Sequence, residues 1–100
     1  MKKSIYQDEE SIMKATNGGL DIIRHYIPEI DECVKGKKKF RIGSLATLST
    51  IKKRENGFYQ ISVFDNENYW MTAIDLVKFL EAEPFYNAID IIIKRHNIQL

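Results

Sequence analysis

The chain reads as an α+β domain, with a small antiparallel β-sheet of at least three strands flanked by N-terminal and C-terminal helices. Three observations predict this. Apolar residues recur at helical spacing in the first and last thirds, while the middle third switches to polar–apolar alternation. Between two alternating runs lies Glu55-Asn56-Gly57, a strong hairpin signal. A chain of 100 residues is enough for one small core. Its 44% hydrophobic and 29% charged content is that of a folded domain.

The first helix is expected to start at an Asp8 cap and run to about Thr16, where Asn17-Gly18-Gly19 breaks it. Leu20, Ile23 and Ile27 then form the apolar stripe of a second helix, which Pro28 stops. The ten residues that follow, centred on Gly36, read as a loop. Alternation over Lys39-Phe40-Arg41-Ile42 predicts a strand, followed by candidate strands over Leu48–Lys53 and Phe58–Phe64. A two-residue Asn56-Gly57 turn would set Ile51 opposite Ser62. A three-residue loop with Gly57 left-handed sets Ile51 opposite Ile61, and is preferred because it gathers Ile51, Tyr59, Ile61 and Val63 on one face.

Downstream, Thr72-Ala73-Ile74-Asp75 has the form of a capping box, with Ile74, Leu76, Val77 and Leu80 as the buried side of its helix. Pro84 opens a last helix that buries Phe85, Ala88, Ile89 and Ile92. Lys94, Arg95 and His96 sit near its end as partners for the helix dipole. His25, four residues after Asp21, reads as half of a helix-surface pair.

Charge is segregated along the chain. Residues 35–54 hold eight Lys and Arg and no Asp or Glu. Residues 1–34 hold four basic and seven acidic side chains, and residues 55–100 hold three and seven, so the net +1 conceals a basic block between acidic flanks. Such a block attracts polyanions, of which nucleic acid is the commonest. In the preferred register the face opposite Ile61 carries Thr50, Lys52, Arg54, Phe58, Gln60, Ser62 and Phe64, with Lys39 and Arg41 beside them. If that face is open, cations neutralise phosphates and rings stack on bases, as single-strand binding requires. If Phe58 and Phe64 instead meet a second layer of core, the cations are simply solvated.

No catalytic constellation is present. Gly18-Gly19 lacks the spacing and preceding strand of a phosphate loop, there is no serine elbow, and neither histidine has a nucleophile at a telling spacing. Asp65-Asn66-Glu67 lacks the further oxygen ligands of a cation loop. Cys33, His25 and His96 are not paired at zinc-ligand spacing. The expectation is a non-enzyme without metal or cofactor. No apolar run is long enough to span a membrane, the polar Gln7-Asp8-Glu9-Glu10 follows Met1-Lys2-Lys3 where a signal peptide would be apolar, and the single cysteine suits a cytoplasmic protein.

From Gly18 to Ile98 the chain resembles the N-terminal zinc-binding domain of bacterial and phage DNA primases, closest to divergent versions from mobile elements. The stretches that carry the resemblance are Asp21-Ile22-Ile23 to Tyr26-Ile27-Pro28, Lys38-Lys39-Phe40-Arg41-Ile42, Thr47-Leu48-Ser49-Thr50, Phe58 to Phe64, Ala73-Ile74-Asp75-Leu76-Val77, and Phe85 with Ala88-Ile89. Thr47-Leu48-Ser49 stands where family members have Thr-Pro-Ser. The family's three cysteines and one histidine are missing from residues 40–46 and 64–70. The resemblance therefore implies a zinc-ribbon-like but metal-free sheet over residues 18–98, preceded by an N-terminal helical extension over 1–17. Zinc would otherwise supply folding free energy, and Tyr69, Trp70 and Met71 are expected to fill the vacated corner against Phe40 or Leu45.

The implied function is non-catalytic. The domain would bind single-stranded DNA template during replication of a chromosome or mobile element, beside a downstream catalytic primase domain or a helicase. Lys37, Lys38, Lys39, Arg41, Lys52, Lys53 and Arg54 are the candidate phosphate contacts, and Phe58 and Phe64 the candidate stacking rings. The alternative is a metal-free protein-interaction module that keeps the fold without DNA binding, its acidic flanks folded over the basic block. Leu100 falls where the resemblance ends, as expected at a domain boundary.

Overall fold

The computed structural model describes residues 5–45, 47–63 and 66–99. Its elements follow the order α1 (Ile5–Ala15), α2 (Leu20–Tyr26), α3 (Ile30–Gly36), β1 (Phe40–Arg41), β2 (Leu48–Ser49), β3 (Ile51–Lys53), β4 (Tyr59–Val63), β5 (Asn66–Thr72), α4 (Ala73–Glu81) and α5 (Phe85–Arg95). The α+β class with flanking helices is as expected. Two strand sets form, β1 with β2 and β3-β4-β5, both antiparallel.

The hairpin register is the apolar one. Ile51 faces Ile61, Lys52 faces Gln60 and Lys53 faces Tyr59, and β5 adds Met71 beside Ile61. The loop has three residues. Arg54 N–H donates to the Phe58 carbonyl at 2.8 Å, Gly57 N–H returns to the Arg54 carbonyl at 2.9 Å, and Gly57 sits at φ +87°. Side chains alternate across a strand, so this pairing puts Ile61 and Met71 together in the core. At Thr50 the run from Leu48 to Lys53 breaks. The Thr50 N–H donates to Ser62 Oγ at 2.9 Å rather than to a carbonyl, and the two hydroxyls lie 2.8 Å apart.

The helices pack on the Ile61 side. α4 lies against β4 and β5, with α2 and α5 packed on α4. Ile12, Ile22, Ile23, Ile30, Ile74, Leu76, Val77 and Ile92 are fully buried between them. The capping box at α4 is complete, with Asp75 N–H on Thr72 Oγ1 at 3.1 Å and Thr72 N–H on Asp75 Oδ2 at 3.2 Å. The Asn17-Gly18-Gly19 turn joins the helical layer to the hairpin. The Gly18 carbonyl (φ +72°) accepts from Tyr59 N–H at 2.9 Å, and a Cβ on Gly18 would stand 2.3 Å from the Gly57 carbonyl oxygen. Only glycine fits that approach.

Four local expectations are corrected. α1 starts before Asp8, which lies in its first turn, where a carboxylate suits the dipole as well as it would at the cap. The expected loop after Pro28 contains α3, which buries Ile30 and Cys33 one turn apart. β5 was not anticipated. Tyr69 and Trp70 do not fill a core corner: Tyr69 is 62% exposed and only Met71 enters the core. No helix among the described residues is long and apolar enough to cross a membrane.

Candidate nucleic-acid interface

The basic block becomes the last turn and exit of α3, strand β1 and the edge strand β3. Lys37 caps α3 in the left-handed conformation (φ 53°), and Lys38 and Lys39 continue from it, all three exposed. On β1 the core takes Phe40 and the residue after the strand, Ile42, so Arg41 between them must point outward, opposite Leu48. Lys52 and Lys53 are exposed but lie on opposite sides of β3. Lys52 is aligned with Gln60 and Thr72, while the Lys53 ammonium stands 5.7 Å from the Tyr59 ring on the other side.

Arg54 is held on two sides. Its Nε donates to Gln60 Oε1 at 2.7 Å, and its guanidinium lies 4.9 Å from the Trp70 ring. With Nε engaged, Nη1 and Nη2 remain as donors, a fork suited to a phosphate. Trp70 and Gln60 are thus part of the site, and sequence reasoning placed Trp70 elsewhere. The signal for it was parity: Trp70 faces Ser62, which shares its side of β4 with Gln60. Reading that signal required β5 to be recognised as a strand.

Two of the proposed sheet residues do not lie open. Ser62 is 1% exposed, folded onto the Thr50 backbone. Phe58 is half-buried, with one side packed on the core and the other lining a groove beside α1. The core reading of Phe58 is therefore half right. Phe64 lies outside the described residues, as does Asp65 of the Asp65-Asn66-Glu67 stretch.

Outside residues 35–54 every described cation is paired. Lys14 meets Glu10 at 2.9 Å, Lys78 meets Asp75 at 3.9 Å and Lys94 meets Asp90 at 2.9 Å. Arg24 reaches Asp21 at 2.6 Å and Asp31 at 2.7 Å, tying α2 to α3. Arg95 donates to Tyr26 Oη at 2.7 Å and lies 3.6 Å from Glu81. Lys37, Lys38, Arg41 and Lys52 have no such carboxylate among the described residues. Acidic residues of the flanks thus go to the flanks' own cations, and these four positions keep their charge toward solvent.

Three further titratable groups are shifted by their surroundings. Burial pushes the Asp21 carboxyl up, but hydrogen bonds from Arg24 and Asn17 outweigh it and hold the group below the usual carboxylate range. His25 is not its partner. Burial pushes the Cys33 thiol up, and Glu29 and Glu32 add to the effect, so the thiol stays protonated. His96 is no dipole partner either: burial and then Arg95 lower its pKa, and its Nε2 is buried without a hydrogen bond. Among the described residues no three His, Cys, Asp or Glu side chains gather as a metal-binding group. No family model, curated protein or solved structure matches the chain.

Proposed function

We propose that residues 18–98 act as a non-catalytic, primase-type domain that binds single-stranded DNA template, with Lys37, Lys38, Lys39, Arg41, Lys52 and Arg54 on phosphates. The observation that carries this reading is the contrast in pairing. Described cations elsewhere are neutralised by carboxylates, whereas Lys37, Lys38, Arg41 and Lys52 are exposed and meet none among the described residues. The Arg54–Trp70 stack supplies a preorganised phosphate fork beside an indole. Exposed Tyr69 offers a ring face for a base. The replication context and a downstream catalytic domain or helicase as neighbour rest on the sequence resemblance.

Trp70 is the chain's only tryptophan and reports on the site directly. Titration with oligo(dT) should change its fluorescence. Affinity should drop roughly fiftyfold between about 50 and about 200 mM salt if about four phosphates are neutralised. Affinity indifferent to salt, or no binding at all, overturns the proposal.

A second reading has one observation in its favour. Lys52 and Lys53 occupy an edge strand, where lysines guard against unwanted strand pairing. On that reading the block keeps the protein monomeric or docks an acidic protein. The double reversal Lys52→Glu with Arg54→Glu separates the two. Loss of DNA binding without loss of fold supports the first, whereas new self-association with unchanged DNA affinity supports the second.

A further inference from the structure

A groove of about 430 Å³ runs between α1 and the hairpin, its wall including Glu9, Glu10, Lys14, Phe58, Gln60 and Thr72. Asn56 lines this groove and also the shallow depression formed by Lys52, Lys53, Arg54 and Glu55, so the two flank the same hairpin tip. Resting on the single-strand reading above, we infer that the groove receives one base of the bound strand, with Glu9 accepting a hydrogen bond from that base's Watson–Crick edge.

The division of charge dictates which part of a nucleotide enters. Lys14 neutralises Glu10, so the Glu9 carboxylate leaves the groove negative and repels phosphate, while Lys52 and Arg54 attract it just outside. A neutral base is the part that fits the inner position. Phe58 supplies a ring wall that is half-buried and therefore fixed.

The polar atoms have defined spare capacity. Glu10 is committed to Lys14 at 2.9 Å, whereas Glu9 is half-buried and accepts no hydrogen bond from the described residues. Gln60 Oε1 accepts from Arg54, which leaves its Nε2 free to donate. Thr72 Oγ1 accepts from Asp75 N–H, which leaves its hydroxyl proton to donate. The groove thus offers a carboxylate acceptor next to neutral donors. The Watson–Crick edge of every base carries an N–H or amino donor next to an acceptor, the complement of that set.

The test uses the full chain and labelled strands of about twelve nucleotides. Oligo(dC) should bind about tenfold tighter than an abasic strand of the same length, the gain of one or two seated bases. Glu9→Ala, on a helix surface, should remove most of that gain while leaving abasic affinity equal or slightly higher. Equal binding of oligo(dC) and the abasic strand, or a gain that survives Glu9→Ala, overturns the groove assignment and leaves phosphate binding standing. If no strand binds, the single-strand reading itself fails.

Discussion

The helical half and the β3–β1 edge treat charge in opposite ways. In the helices Arg24 bridges Asp21 and Asp31, and Arg95 joins Tyr26 to Glu81 across the α2–α4–α5 contact. Along the edge, Lys37, Lys38, Arg41 and Lys52 meet no carboxylate among the described residues, and Arg54 is fixed by an amide and an indole. Both arrangements order a guanidinium, but only the second leaves its charge to act outside the molecule. Proximity to opposite charge in sequence does not decide the difference. Glu55 adjoins Arg54, yet Arg54 turns to Gln60.

The largest expected effect lies at the joint between the two halves. Gly18→Ala places a Cβ 2.3 Å from a backbone oxygen that cannot move away cheaply. It should cost about 3 kcal/mol of stability by denaturant melt. Gly57→Ala has open space around it and a positive φ only, so about 1 kcal/mol is expected. Equal losses would mean that the Gly18–hairpin approach does not couple the halves.

Next in size, Lys52→Glu with Arg54→Glu should lower single-strand affinity more than tenfold with the fold intact, stability falling by about 1 kcal/mol as the Gln60 and Trp70 contacts are lost. Arg24→Ala should cost up to about 1 kcal/mol after allowance for solvent screening and leave DNA affinity untouched. A crossed result would erase the distinction between structural and functional cations. Thr72→Ala removes a cap from α4, and a loss of about 1 kcal/mol in the same melt is expected.

The smallest effect is a pH dependence on the helical side. His96 has a lowered pKa when folded, facing Arg95, Asp21 and His25. The unfolded chain therefore binds its proton first. Stability should fall as pH drops below about 6.5 and level off below the folded pKa. The melting temperature should decline by no more than about 2 °C over that window, and His96→Gln should flatten the decline. Asp21 and Asp31, held low by Arg24, withdraw their contribution only further down, below about pH 4.

Much of the fold was legible because its signals are local. The Thr72–Asp75 box closes over three residues, and Gly57 is the residue a left-handed third loop position demands. α3 escaped notice although Ile30, Cys33 and Val34 have helical spacing, because the Lys35–Lys39 run that follows reads as a loop. β5 escaped for a different reason. Asn66, Glu67 and Asn68 are poor strand formers, and Tyr69, Trp70 and Met71 do not alternate in polarity. The free edge of β4 and the burial of Met71 against Ile61 make it a strand. Of the candidate site, the cations and their exposure were legible. Trp70 and Gln60 were not, since both take their role from a strand pairing that β5 creates.

The sequence by itself determined the segregation of charge, the α4 capping box and the three-residue hairpin with its apolar register. Each is set by hydrogen bonds and φ demands spanning a few residues. Only the tertiary structure decided which cations meet carboxylates, that Phe58 divides its ring between core and groove, and that Arg54 lies on Trp70. Those choices join residues as far apart as Tyr26 and Arg95, 69 positions along the chain. No local pattern encodes them, because the energy of such a contact exists only once the core has brought its partners together.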